Sequence, residues 1–261
     1  MTITEQPRTT AADLTDDVVE QYRRDGFVHV PQVITPEAAA AYGEAALLAK
    51  DRIRSNTEAG KSEKVFAQLL QLWTQDETLR SLTLDPNLAG IATKLAGIPL
   101  RLWHDQMLIK EPHNGARTEY HQDGPYWPHA RVRHALSAWV ALVDVPVERG
   151  CMTFIPGSQD GHRDLRAQDL TDGADLFRVA PDLTWEPRVT IPLRAGDCTF
   201  HNSFTAHSAN ANQTDDPRIA HVVIYVDRDL TYTADRAHVI TDPMRLDDGV
   251  RLPDEAFPPL P

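Results

Sequence analysis

The tripeptide His121-Gln122-Asp123, followed much later in the chain by His207, constrains the fold more than any other feature of the sequence. Side chains at positions i and i+2 leave the same face of an extended strand, so this spacing suits two groups that act together from one β-strand. His207 must then be delivered by a strand of an opposing sheet. The spacing therefore predicts two facing sheets with a shared site between them.

The residue types in this pattern indicate a metal centre. Two imidazoles and one carboxylate can occupy one face of an octahedral metal and leave three adjacent positions open, as in non-haem Fe(II) oxygenases. A second pattern of this kind, His162-Arg163-Asp164, follows the turn Pro156-Gly157-Ser158 in a polar stretch where no strand positions it. Apolar extended runs at residues 102–110 and 135–145 flank the first pattern, which is therefore the favoured one.

Composition narrows the class of protein. A chain of 261 residues is expected to form a single domain over residues 1–261, and its net charge of −12 disfavours binding to nucleic acid or to anionic membranes. We find no apolar stretch of membrane-spanning length and no signal-peptide pattern. Cys151 and Cys198 suit a reducing compartment. The sequence predicts a cytoplasmic protein with no obligate protein partner.

The pattern of elements predicts helices first and strands later. Residues 1–13 are expected to be a mobile arm, Thr15 or Asp13 can cap a first helix that Gly26 ends, and Thr35-Pro36-Glu37 starts an Ala-rich helix to about residue 54. After Pro99 the chain shows short apolar runs divided by Gly, Pro and Asp turns. Strands are expected at 100–103, 106–110, 118–123, 136–145, 152–155, 189–193, 198–201 and 219–226.

These runs predict a mainly β protein, an antiparallel sandwich or jelly roll with the N-terminal helices packed on one sheet. The Pro-rich tail, residues 247–261, is expected to be a surface strap.

In this arrangement the chain resembles the phytanoyl-CoA dioxygenase-like branch of the Fe(II)/2-oxoglutarate oxygenases. The resemblance covers roughly residues 27–226. Its parts, in chain order, are Asp25-Gly26-Phe27, Tyr120-His121-Gln122-Asp123, Trp139, Gly150-Cys151-Met152, Pro156-Gly157-Ser158, Ala195-Gly196-Asp197, His207, Asn212 and Arg218.

The resemblance implies a double-stranded β-helix of the cupin-like type, in which His121, Asp123 and His207 bind Fe(II). It also implies that O2 and 2-oxoglutarate are cosubstrates, with Arg218 binding the far carboxylate of 2-oxoglutarate and Trp139 lying near it. The chemistry agrees, because a carboxylate is matched by the bidentate fork of an arginine. The alternative for Arg218 is a surface ion pair with an aspartate of the turn at residues 214–217.

Several other residues carry weaker expectations. Gln122, Tyr126 and Trp127 are candidates for substrate contact, although Gln122 points away from the metal face of its strand and is expected to make a structural hydrogen bond. His201 is not expected to be the distal ligand, because the family register favours His207. Lys110 is expected at a solvent-exposed strand end.

The implied reaction is hydroxylation of a small-molecule metabolite of specialised metabolism, with release of succinate and CO2. A carboxylate at Asp123 argues for oxygenation rather than halogenation. An acyl-CoA or lipid-like substrate, desaturation and cyclisation stay open. A zinc hydrolase would leave Arg218 unexplained, and a non-catalytic cupin-like binder would leave a full ligand set without use.

Overall fold

Two antiparallel β-sheets form the centre of this protein in a computed structural model, which describes residues 8–52, 65–130 and 132–261. The helices of these ranges are α1 (Asp16–Asp25), α2 (Pro36–Arg52), α3 (Glu77–Thr83), α4 (Pro86–Ala96) and α5 (Asp175–Val179). The strands are β1 (Phe27–Val30), β2 (Ala67–Leu70), β3 (Leu100–Lys110), β4 (Thr118–His121), β5 (His129–Ala130), β6 (Ala135–Ala141), β7 (Met152–Phe154), β8 (Val189–Ile191), β9 (Cys198–Asn202), β10 (His207–Ala209), β11 (Arg218–Asp227) and β12 (Thr231–Tyr232).

The strand order places the two sheets on either side of an inner space. The larger sheet has the order β1-β9-β6-β11-β3-β2, and the smaller has the order β4-β10-β7-β8. Every pairing within them is antiparallel. Side chains from both sheets, among them Trp139 and Val222 from the larger and Met152 and Phe154 from the smaller, pack in one core cluster. The mainly β, antiparallel prediction is confirmed.

The outer face of the larger sheet is covered by the early helices. Its outward side chains, such as Leu102, Met107 and Phe200, form one buried cluster with apolar side chains of α1, α2 and α4. Helix α2 buries small residues, and a Cβ added at Gly43 would make only an ordinary van der Waals contact, 3.7 Å, with the carbonyl oxygen of Leu142. The buried face of this helix is therefore lined by small side chains. Within the described ranges no helix combines the length and apolarity that crossing a membrane requires.

Strand β3 carries a β-bulge that the sequence did not reveal. Ile224 of β11 pairs with His104 while Tyr225 pairs with Leu102, so Trp103 is an extra residue without a partner in this register. The two short strands expected at 100–103 and 106–110 are therefore one long bulged strand. A bulge turns consecutive side chains to the same face, and Trp103 and His104 both face the inner space.

Both ends of the described chain are fixed to the domain. Residues 8–13 differ from the mobile arm expected for 1–13: Arg8 forms an ion pair with Asp85 at 2.7 Å, and Asn87 and Lys94 donate to backbone carbonyls of this segment. Residues 1–7 lie outside the described part. In the tail, Phe257 is fully buried and its ring stacks on that of Trp103 at 4.9 Å between centroids. The tail thus extends the inner core as well as crossing the surface.

The turn before β9 supplies a stability test. Gly196 has φ +93°, and a Cβ there would lie 2.4 Å from the carbonyl oxygen of Ile34, whereas Gly161 has φ +82° with no atom within 4 Å of a Cβ. We expect Gly161→Ala to lower the free energy of unfolding by about 1–2 kcal/mol through backbone strain alone. Gly196→Ala should lower it by about 1–3 kcal/mol more, because the backbone must also move to relieve the clash. Urea unfolding of both variants measures the difference, and equal losses would contradict the clash.

Candidate active site

The three residues expected to bind a metal meet between the sheets. His121 ends β4 and pairs directly with His207, the first residue of β10. The expectation that His207 comes from an opposing sheet is therefore wrong, because β4 and β10 are adjacent strands of the smaller sheet. Asp123 follows in the turn after β4, and its Oδ1 lies 3.7 Å from Nε2 of His121 and 3.8 Å from Nε2 of His207. One ligand atom from each residue lies within 4.8 Å of the others, which fits a single metal ion.

The route by which Asp123 reaches this point differs from the expected one. The strand predicted over 118–123 ends at His121, and Asp123 has a helical backbone (φ −74°, ψ −44°) that leads into a short 3-10 turn, Gly124–Tyr126. The alternation of an extended strand therefore does not place the carboxylate. The turn does, because it bends the chain back toward the larger sheet.

Each metal-facing imidazole is held in one tautomer by the backbone. Nδ1 of His121 lies 2.8 Å from the carbonyl oxygen of Glu119, and Nδ1 of His207 lies 2.9 Å from that of Thr205. A carbonyl can only accept, so Nδ1 carries the proton and Nε2 presents a lone pair. Burial lowers the pKa of His207 to about 3 and also lowers that of His121, which keeps both rings neutral. Neutral imidazoles are the form that binds a metal.

The carboxylate of Asp123 is shared between the two sheets. Its Oδ2 accepts hydrogen bonds from Ser137 Oγ at 2.9 Å and from His201 Nε2 at 3.2 Å, which leaves Oδ1 directed toward the two histidines. Burial acts to raise the pKa of Asp123, but the surrounding imidazoles outweigh it and hold the pKa below its usual range. The group is therefore an ionised ligand held in orientation by two neighbours.

His201 and Ser137 are thus part of the site without belonging to the metal cluster. The exclusion of His201 as the distal ligand agrees with the geometry, since its ring reaches the oxygen of Asp123 that faces away from the other histidines. Sequence reasoning missed its supporting role. It also missed Ser137. A single polar residue within the otherwise apolar run of β6 was the sequence signal that could have identified it.

Arg218 is buried beside this cluster as a cation without an acidic partner among the described residues. It is 1% exposed, its Nε has no hydrogen-bond partner there, and its guanidinium lies 5.3 Å from the ring centre of Trp139. Burial lowers the pKa of Arg218 to about 10, so it remains charged. The alternative of a surface ion pair is wrong, because Arg218 is buried. The two aspartates of the turn have other neighbours: Asp215 contacts His113 at 2.8 Å, and Asp216 lies 4.0 Å from Arg149. A buried unpaired charge fits an anionic ligand that completes the site.

Lys110 corrects a second expectation. It pairs with Arg218 in the ladder between β3 and β11, and it is fully buried rather than exposed at a strand end. Its ammonium contacts the carbonyl oxygens of Asn210 at 2.7 Å and Ala116 at 3.2 Å. Burial, with the nearby charge of Arg218, lowers the pKa of Lys110 to about 6. Residues of a strand alternate between its two faces, so Lys110 shares the inward face of β3 with Gln106 and Leu108. This alternation was the signal that could have predicted its burial.

A cavity of about 840 Å³ opens onto the metal cluster. Tyr126, Trp127 and Trp139, which were predicted near the pocket, all line it. Gln122 does not: it is fully buried elsewhere and donates to the carbonyl oxygen of Phe204 at 2.6 Å, so the structural role holds and substrate contact does not. His162 also lies outside the lining and contacts Asp182 at 2.9 Å.

Comparison with known proteins defines the family. A model of the phytanoyl-CoA dioxygenase (PhyH) family matches residues 22–220. The chain belongs to this family. A mouse phytanoyl-CoA dioxygenase domain-containing protein 1 is 28% identical over 158 residues, which are 58% of this chain and 54% of that protein. The chain thus spans about half the length of such curated relatives.

Two solved structures resemble nearly the whole chain. The non-haem α-ketoglutarate-dependent carbocyclase SnoK from nogalamycin biosynthesis is 40% identical, with a TM-score of 0.86, over 98% of this chain and 100% of that one. The epimerase SnoN, solved with Fe3+, α-ketoglutarate and nogalamycin RO, is 37% identical with a TM-score of 0.78, over 94% of this chain and 98% of that one.

Together with the donor set, these structures confirm iron and 2-oxoglutarate as the cofactors. Two neutral imidazoles and one carboxylate are ligands suited to Fe(II) with open positions for further ligands. The unpaired guanidinium of Arg218 suits the second carboxylate of 2-oxoglutarate.

The geometry predicts three levels of response in metal binding. His121→Ala or His207→Ala should abolish tight binding, since each removes a ligand. His201→Ala should weaken binding about 10- to 100-fold, because it only frees the orientation of Asp123. His162→Ala is the matched control and should leave affinity unchanged. Calorimetric titration with Fe(II) under nitrogen measures all four, and a loss at His201 as complete as that at His207 would make His201 a ligand.

Proposed function

We propose that this protein is an Fe(II)/2-oxoglutarate-dependent dioxygenase with a double-stranded β-helix core, acting on a bulky small molecule of specialised metabolism. One observation carries the proposal. A cluster of two neutral histidines and an ionised aspartate opens into the same cavity as a buried arginine that has no acidic partner among the described residues.

Each residue then has a defined task. His121, Asp123 and His207 hold the iron, which when bound supplies the activation of O2 and the oxidative decarboxylation of 2-oxoglutarate. Arg218 binds the far carboxylate of 2-oxoglutarate through its guanidinium fork, and Trp139 flanks that contact.

The cavity favours a large and largely apolar substrate. Its volume of about 840 Å³ lies toward the upper end of the range of roughly 300–1,000 Å³ found for small-molecule sites. Its wall includes Phe66, Leu70, Leu108, Val222 and Ile224. Room therefore remains for a multi-ring compound when 2-oxoglutarate is bound.

An acyl-CoA substrate is less well matched. Among the described lining residues the arginines are Arg166 and Arg218. Arg166 is paired with Asp175 at 2.6 Å, and Arg218 is assigned to the cosubstrate. No further arginine or lysine of the described lining is left to bind the phosphates of a coenzyme.

Ring closure is a second candidate beside hydroxylation. The SnoK structure, which resembles this chain over nearly its full length, is that of a carbocyclase, and the SnoN structure is that of an epimerase. In this protein, hydroxylation and ring closure would both need a substrate carbon beside the bound iron. The outcome is then set by how the remaining cavity holds the substrate, so the iron ligands alone do not separate the candidates.

Arg218→Lys tests the cosubstrate assignment. Losing the bidentate charged contact should weaken 2-oxoglutarate binding about 10- to 100-fold while iron stays bound. Arg166→Lys is the matched control, since this arginine lines the same cavity but is satisfied by Asp175. Titration of the iron-loaded protein with 2-oxoglutarate under nitrogen gives both affinities. Equal affinities in wild type and Arg218→Lys would remove Arg218 from the cosubstrate site.

The mass of the product separates the candidate reactions. With iron, 2-oxoglutarate and O2, multi-ring oxygenated natural products including nogalamycin RO should yield succinate together with a converted product. Hydroxylation adds one oxygen atom, whereas ring closure or desaturation removes two hydrogens. Conversion that needs zinc and releases no succinate would contradict the proposal, and boiled protein is the control for uncatalysed oxidation.

A further inference from the structure

The β-bulge in β3 places a histidine on the wall of the cavity. Because Trp103 is the extra residue, both it and His104 face inward. His104 is only 4% exposed and lines the cavity. Bulges often redirect side chains next to active sites. Without this one, His104 would face the helices on the other side of the sheet.

The position of His104 relative to the metal follows from strand register. One row across the larger sheet contains His201, Ser137, Ile224 and His104 on adjacent strands. Ser137 and His201 hold Asp123, so this row lies at the level of the metal. With neighbouring strands about 4.8 Å apart, His104 lies about 10 Å from Ser137. A substrate between the two would have its reacting carbon beside the metal and its far side at His104.

The hydrogen bonding of His104 defines what it can recognise. Its Nδ1 lies 3.2 Å from the carbonyl oxygen of Asp105, so this nitrogen carries the proton. Burial lowers the pKa of His104 to about 3, and the ring is neutral. Nε2 is therefore a hydrogen-bond acceptor, and no described residue donates to it.

A second histidine presents the opposite polarity nearby. The ring of His238 lies 5.9 Å from that of His104 between centroids, and both line the cavity. Nδ1 of His238 accepts from the backbone N–H of Ile240 at 3.4 Å. Burial lowers the pKa of His238 to about 4, so its ring is neutral with the proton on Nε2. One acceptor and one donor thus lie side by side on this wall.

We propose that His104 is a substrate-positioning residue whose Nε2 accepts a hydrogen bond from a hydroxyl of an uncharged multi-ring substrate. His238 donates to a neighbouring oxygen of the same molecule. The proposal rests on the proposed function and specifies its substrate class: an apolar ring system with adjacent hydroxyl and carbonyl or ether oxygens. The contact fixes which carbon faces the metal, and Arg218 holds 2-oxoglutarate separately, because it begins β11 whereas Ile224 lies toward the other end.

Two naphthalene probes test the acceptor directly. 2-Naphthol can donate a hydrogen bond, whereas 2-methoxynaphthalene can only accept one. Protein loaded with Fe(II) and 2-oxoglutarate under nitrogen is titrated with each probe by calorimetry. The ratio of the two affinities should fall about two- to tenfold from wild type to His104→Phe. His104→Gln, which restores an acceptor oxygen, should keep the wild-type ratio, as should the distant control His162→Phe.

The visible charge-transfer band of the iron–2-oxoglutarate complex shows whether a negative result contradicts the proposed function or only the role of His104. If wild type lacks the band, the proposed function falls and this inference with it. If the band is present but the ratio is the same in wild type and His104→Phe, or wild type binds neither probe, only the role of His104 is overturned.

If His104→Phe does not fold, the proposal can still be tested by NMR on the wild-type protein. With zinc in place of iron, the 15N signal of Nε2 of His104 should shift on adding 2-naphthol and not on adding the ether. An unshifted signal overturns the proposal.

Discussion

The buried carboxylate of Asp123 is the group on which the arrangement of this site depends. One oxygen is held by Ser137 and His201 from the larger sheet, and the other faces His121 and His207 from the smaller. A buried charge is costly unless it is paired and hydrogen-bonded. The two sheets must therefore pack together around this group, while the pairing of β4 with β10 within the smaller sheet places the two metal-facing histidines directly opposite each other.

A second buried charge divides the cavity by function. Arg218 has no acidic partner among the described residues, and its neighbour in the ladder, Lys110, is satisfied by backbone carbonyls. An anion is favoured at this end of the cavity. The wall around His104 also carries Gln106 and His238, and none of these three side chains is charged, because burial keeps both imidazoles neutral. A charged cosubstrate is thus favoured at Arg218 rather than at this wall, where an anion would lose hydration without gaining a charged partner.

Local pattern and tertiary context contributed differently to individual residues. The end of α1 followed from Gly26, whose left-handed backbone stops the helix through an interaction that acts within a few residues. Lys110 was misjudged because a lysine at a strand end is normally solvated, and only the folded chain brings the carbonyl oxygens of Asn210 and Ala116 to its ammonium in place of water. The bulge at Trp103 was missed because pairing register depends on a strand distant in sequence.

The sequence by itself determined the mainly β, antiparallel architecture and the pair His121 and Asp123 as metal-ligand candidates, because hydrophobic periodicity and ligand spacing are properties of short segments. His207 and Arg218 were singled out by the resemblance to the family, since no short segment links them to that pair. The tertiary structure decided how Asp123 is held, why Arg218 is unpaired and that His104 faces the cavity. These depend on contacts between strands far apart in the chain, such as β6 and β9 with the turn after β4. The pairing of β3 with β11 turns His104 toward the cavity, and no local sequence pattern predicts that pairing.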